Sequence, residues 1–266
     1  MIRLGANTVL FGTHDLRTAM ECIKRSGYDA AEISALPGMA DHLPLDNWRS
    51  VATEIRALVE ELELPLTAME VGTNAEDRLM LAYEAGAELG IPVVNVGPGR
   101  KPDDPGGLQG LIDHINAMAE KAEEFGVTLC MKAHVNTLVD STPTTLAVME
   151  GVSSPAFGVD MDPSHIHRAG EVPKEALAQV VSRVRHVHIR DCVGLGPSPG
   201  TPEQQACGRG EIDLMGYCQV LVEAGWEGPV NLEIIGAKEY ELTHQAIIAA
   251  ESYGYLNACM KAVGGR

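Results

Sequence analysis

The sequence predicts a single (β/α)8 TIM barrel over residues 1–266, and three observations carry that expectation. Short apolar runs alternate with segments of helical period along the whole chain, eight pairs at roughly 33 residues each, the repeat of parallel strands joined by crossover helices. A length of 266 residues suits one such barrel, and no linker or low-complexity tract divides the chain. The first apolar run leads into Asn7-Thr8-Val9-Leu10-Phe11-Gly12, not into the glycine-rich phosphate loop that usually opens a doubly wound open sheet.

The expected strands, in order, are Ile2–Thr8, Ala30–Ser34, Leu66–Val71, Val93–Val96, Thr128–His134, Phe157–Asp162, His186–Asp191 and Val230–Ile235. Helical spacing between them shows in Trp48, Val51, Ile55, Leu58, Val59 and Leu62, and again in Leu108, Leu111, Ile112, Ile115, Met118 and Ala119. Asp46 and Asp213 stand where N-caps are expected, and Gly27, Gly90, Gly126 and Gly225 where helices should stop. The stretch Cys192–Gly210, rich in Gly, Pro and Ser, follows the seventh strand. On a barrel it would lie over the mouth as a lid or substrate loop, the alternative being a passive surface loop.

Composition narrows the function. Twenty Lys+Arg against 37 Asp+Glu give a net charge of −17. Duplex binding draws its affinity from basic residues, so a nucleic-acid partner is not expected, nor an anionic membrane surface. Hydrophobic residues make up 45% and aromatics only 4%, so aliphatic side chains, Ala and Met must fill the core. No apolar stretch reaches membrane-spanning length, and the N-terminus lacks a signal-peptide pattern. Six scattered cysteines without a CxxC pair read as reduced thiols in a cytoplasmic protein, with a disulfide scaffold as the weaker reading.

Alternate residues of a barrel strand point inward, and those near its carboxyl end face the mouth. By this parity the mouth collects Glu32, Glu70, Lys132 and His134, Asp160 and Asp162, His186 and His188, then Asn231 and Glu233. Buried groups of this kind are costly unless paired or bound to a metal. Asp162-Pro-Ser-His165 adds an imidazole just over the rim. Asp162, His188 and Glu233 supply the mixed oxygen and nitrogen set that a divalent ion takes, with a hydrogen-bonded polar core as the alternative.

Ala31-Glu32-Ile33, Asp162-Pro-Ser-His165, His186-Val-His188-Ile-Arg-Asp191, Gly208-Arg-Gly-Glu-Ile-Asp213 and Gly228-Pro-Val-Asn-Leu-Glu233 occur in this order. Together they resemble the xylose isomerase-like barrel superfamily in its sugar-phosphate isomerase/epimerase branch. That branch includes ketose 3-epimerases, inosose dehydratases and dehydroshikimate dehydratases. The resemblance covers nearly the whole chain but is not specific to a reaction. It implies one divalent ion, Mn2+ first with Mg2+, Co2+ or Zn2+ as alternatives, held by a strand-five Glu, a strand-six Asp, a strand-seven His and a strand-eight Glu. Asp162, His188 and Glu233 match the last three. The first fails, because Leu129-Cys-Met-Lys132-Ala-His134 places Lys132 at the expected glutamate.

Three readings of Lys132 follow. In the first the metal stays, His134 or His165 becomes the fourth ligand, and Lys132, its pKa depressed beside the cation, serves as an acid/base. In the second no metal is bound and the Lys132 ammonium bridges Asp162 and Glu233. The third is Schiff-base chemistry.

The implied reaction is enolisation of a keto-sugar or polyol, with Glu233 as base and His165 or Lys132 serving the second position. Isomerase/epimerase is the first expectation and a dehydratase or other lyase the second. A non-catalytic sugar-binding or accessory subunit is the third. Glu32, Glu70, His134, Arg190 and Arg209 are the expected substrate contacts. A homo-oligomer or a catalytic partner subunit is left open. An endonuclease is not expected, since Glu32, Glu70 and Asn95 stand where its extra histidines would be needed.

Overall fold

A computed structural model describes residues 1–99, 101 and 106–266. β1 (Arg3–Asn7) pairs in parallel with β2 (Ala30–Leu36) on one side and with β9 (Pro229–Leu232) on the other, which closes the sheet. Between them run β4 (Leu66–Val71), β5 (Val93–Val96), β6 (Thr128–Lys132), β7 (Phe157–Met161) and β8 (Val184–Ile189), each parallel to its neighbours. The result is a closed eight-stranded parallel barrel. β3 (Ala40–Asp41) is a two-residue antiparallel addition to β2, too short for any periodicity to announce it.

The helices are α1 (Leu16–Arg25), α2 (Trp48–Leu62), α3 (Glu76–Leu89), α4 (Gly107–Glu124), α5 (Thr142–Gly151), α6 (Pro163–Arg168), α7 (Pro173–Val180), α8 (Pro202–Gln205), α9 (Leu214–Glu223) and α10 (Leu242–Ala262). In α2, Ile55 and Leu58 are buried, and in α4 Leu111, Ile112, Ile115 and Met118, as the 3.6-residue period requires of one face. Asp213 caps α9, accepting from Gly216 N at 2.9 Å. Asp46 does not cap α2; it lies inside a 3-10 turn, Leu45–Asn47, that precedes the helix. No described helix is long and apolar enough to cross a membrane. All six cysteines are free thiols.

Each of the eight expected strands is present, but five end earlier than the polarity pattern implied, β1 by one residue at Asn7 and β8 by two at Ile189 among them. β6 stops at Lys132, two residues before His134, and β9 stops at Leu232, one before Glu233. β7 stops at Met161 because Asp162 leaves the ladder to cap α6, accepting from Ser164 N at 2.7 Å. Inward polar residues continue past the last ladder hydrogen bond and so build the mouth. Within the barrel, Gly5 at the middle of β1 makes room for the interior: a Cβ there would lie 2.0 Å from Asn231 Oδ1.

Candidate active site

The barrel interior beneath the mouth is a set of buried ion pairs. His188 of β8 is wedged between two carboxylates, Nε2 2.6 Å from Glu32 Oε2 and Nδ1 2.7 Å from Asp160 Oδ2. His186 Nδ1 lies 2.9 Å from Asp160 Oδ1, and Asn231 Nδ2 donates to His186 Nε2 at 2.8 Å. Asn95 donates to Glu32 Oε1 at 2.7 Å. Burial alone would raise the carboxylates and lower the imidazole. Here the mutual attraction wins, holding Glu32 below and Asp160 well below the ordinary carboxylate range and His188 well above the ordinary histidine range.

Above this floor sits Lys132, whose Nζ donates to Glu233 Oε1 at 2.9 Å and to Glu70 Oε1 at 3.2 Å, and lies 3.2 Å from His188 Nδ1. The lysine pKa is raised, not depressed: burial disfavours the ammonium, but Glu233 and Glu70 outweigh it. Beside it, Arg190 Nη2 reaches Asp162 Oδ2 at 2.8 Å and Glu233 Oε2 at 3.3 Å, while its Nε donates to Ser164 Oγ at 2.8 Å. The bridge read from the sequence, Lys132 between Asp162 and Glu233, is therefore divided. Lys132 spans Glu70 and Glu233, and Arg190 spans Asp162 and Glu233.

The two glutamates differ. Glu233 faces both cations, which overcome its burial and hold it well below the usual range. Glu70 has one cation, is twice as exposed (12% against 6%) and accepts from Asn7 Nδ2 at 2.7 Å. Burial and the neighbouring Glu233 push its carboxyl up to about 7. On the other flank His165 packs against His134 with ring centres 4.0 Å apart and the rings tilted by 42°, and Arg168 of α6 brings Nη2 to 2.8 Å from His165 Nδ1. Burial, then the positive Arg190, push His165 well below the ordinary histidine range.

These groups line a cavity of about 310 Å³ at the carboxyl ends of the strands. The Cys192–Gly210 segment covers it, since Pro197 and Pro199 form part of the wall. Arg168 Nη1 donates to Pro197 O at 2.6 Å. Asp191 anchors the segment at both ends, Oδ1 accepting from Cys192 N and Ile212 N, both at 3.0 Å, and Oδ2 from Gly208 N at 3.0 Å.

Among the described residues two groups have the composition of a candidate metal site, Glu70 with His188 and Glu233, and Glu32 with His186 and His188. Neither contains Asp162 or His134. Asp162 is engaged by Arg190 and by Ser164 N, and His134 Nδ1 sits 2.9 Å from Val135 O. As arranged, the first group does not fit a divalent ion. The Lys132 ammonium already stands within 3.2 Å of an atom of each member, and both nitrogens of His188 face carboxylates. An ion enters only by displacing Lys132.

A family profile described as xylose isomerase-like TIM barrel matches residues 20–259. The chain belongs to the xylose isomerase-like TIM barrel family. Among family relatives, an inosose dehydratase of Geobacillus thermodenitrificans is 26% identical over 131 residues, 44% of each chain. Two solved structures share the barrel. L-ribulose 3-epimerase has a TM-score of 0.78 at 16% identity, covering 99% of this chain and 96% of its own. The IolI protein, described with a bound zinc atom, has a TM-score of 0.78 at 18% identity, covering 97% and 99%. The chain spans about half or less of the length of the curated relatives it matches first.

Of the residues expected to form the site of this xylose isomerase-like barrel, Glu70, Lys132, His134, His165, Arg190 and Glu233 meet around the cavity. Asp162 and His188 support them from below. Glu32 is fully buried under His188 and is not on the cavity wall. Arg209 is elsewhere: it is exposed and pairs with Glu251 of α10, Nε to Oε1 at 2.6 Å, because the loop turns its side chain outward. Arg168 was missed. Its sequence signal was present, one helical turn after His165, on the face that returns to the mouth.

Proposed function

We propose that the protein is an isomerase/epimerase of a keto-sugar or related polyol, acting by enolisation. The observation that carries this reading is the pairing of Glu70 and Glu233 across the Lys132 ammonium on one cavity wall. A cavity near 300 Å³ is at the small end of ligand pockets and suits a sugar-sized molecule.

In the proposed step Glu70 takes the proton on the carbon next to the substrate carbonyl. The C–H electron pair moves into the carbon–carbon bond and the carbonyl pair onto oxygen, where Lys132 and Arg190 stabilise the developing charge. Return of the proton from Glu70 to the former carbonyl carbon, while a proton passes from the α-hydroxyl to the former carbonyl oxygen, isomerises; epimerisation needs a second group to deliver a proton to the opposite face. Glu233, the base expected from the sequence, is held ionised by two cations and fits better as the anion that positions them. His165 and His134, side by side on the cavity wall, contact substrate hydroxyls in this reading.

A second reading is a lyase, in which the same enolate expels a β-hydroxyl. It is favoured by Glu70 being, of the two carboxylates on the cavity wall, the one paired with a single cation, since opposite-face proton return calls for two bases. Incubation with keto-sugars and keto-inositols in deuterated water tests the shared step. Deuterium is expected at the carbon next to the carbonyl, followed by either rearranged or dehydrated product. Binding of such ligands without any exchange would sink the enolisation reading and leave a sugar-binding subunit.

A further inference from the structure

Glu70, His188 and Glu233 are arranged as a cation site, with one ligand-capable atom of each within 4.8 Å of the others. The centre of that arrangement holds the Lys132 Nζ, at 2.9 Å from Glu233, 3.2 Å from Glu70 and 3.2 Å from His188. A second protein cation shares Glu233: Arg190, whose Nη2 lies 3.3 Å from Oε2. Arg190 is 1% exposed, lines the cavity, and its Nη1 has no hydrogen-bond partner among the described residues. A buried guanidinium N–H left unpaired is costly, and a ligand oxygen that draws the guanidinium towards the cavity removes that cost. Ammonium and guanidinium together bring two unit charges, the charge of one divalent ion, as N–H donors.

We propose that Lys132 and Arg190 take the place of a divalent cation at this mouth, so that a substrate oxygen is received by Arg190 Nη1 beside the Lys132 ammonium and no metal is held there. What the pair does to that oxygen rests on the enolisation reading; the exclusion of metal does not. Substrate oxygens would then meet directional donors in place of an exchangeable coordination sphere. The acceptors this favours are a carbonyl, a hydroxyl or a carboxylate.

The test is calorimetric titration of metal-stripped protein with manganese chloride. Wild type is expected to show no stoichiometric uptake up to about 1 mM. Lys132→Glu and Lys132→Gln, which clear the centre between Glu70 and Glu233 for an ion that competes with Glu32 and Asp160 for His188, should each bind one ion per chain at least tenfold more tightly than wild type. Circular dichroism identifies which variants are folded, and two substitutions guard against one failing to fold. Stoichiometric binding by wild type overturns the proposal, and so do folded variants that both stay silent. Deuterium exchange into a keto-inositol is scored separately, so failure of the enolisation reading is distinguished from failure of the metal-free one.

Discussion

Glu70 and Glu233 are the same residue type a few ångströms apart around one lysine, yet their surroundings give them different chemistry. Glu233 is ion-paired with both Lys132 and Arg190 and stays ionised; Glu70 is ion-paired with Lys132 only, and burial beside Glu233 pushes its carboxyl up to about 7. A base acts only when deprotonated, so kcat/KM is expected to fall as pH drops below about 7 and to level off above it. Glu70→Gln should lose at least about a hundredfold in kcat/KM and with it the acidic limb. A Gln variant that keeps both activity and limb would remove Glu70 from the mechanism. Strand parity made most of these residues legible, because inward positions repeat every second residue. The pairing was not legible. Whether Lys132 reaches Asp162 or Glu70 depends on rotamers and on the lateral position of Arg190 across the barrel, which spacing along the chain does not encode.

At the scale of elements, existence was easier to read than extent. All eight barrel strands showed as apolar runs, since strands covered by helices are apolar on the outer face. The ends of β4 and β5 fell where expected, but those of β6, β7 and β9 did not show, because His134, Asp162 and Glu233 continue the polar pattern after the ladder has ended. The loop over the mouth was legible from its Gly, Pro and Ser content, but its anchor, Asp191, was not distinguished within the His186–Asp191 run. Asp191 accepts three backbone N–H groups that bring Cys192, Gly208 and Ile212 together. Gly210 completes the fit, since a Cβ there would lie 2.2 Å from Asp191 Oδ1 and 2.3 Å from Cys192 O. Asp191→Ala is expected to lower stability by about 1–3 kcal/mol, the cost of unpaired buried donors. Limited proteolysis should then cut first within residues 192–212; cleavage elsewhere, with the loop resistant, would show that other contacts hold it.

For the whole molecule, the acidity noted in the composition is partly internal, and the barrel carries its own counter-charges. Asp160, whose ordinary value is 3.8, is held lower in the fold, so its stabilisation is present above that pH and lost as pH falls through the folded value. His188, ordinarily 6.5, is held higher, so its contribution is full below 6.5 and lost as pH rises through its folded value. Glu70 adds to the second slope as it ionises between 4.5 and about 7. The melting temperature is therefore expected to fall on both flanks of a calorimetric scan, in acid as Asp160 takes up its proton and in alkali as His188 loses its own. Asp160→Asn should lower the peak and flatten the acid flank. An unchanged flank would mean that other carboxylates govern acid unfolding.

Lys132 is joined to the chain by peptide bonds, and that has a consequence for assembly. Its positive charge arrives with the polypeptide in a fixed ratio of one per barrel. Closing the sheet brings Glu70 and Glu233 to a counter-charge that is already in place, whatever the metal content of the surroundings. Loading with the wrong ion and loss to a chelator cease to be ways of failing.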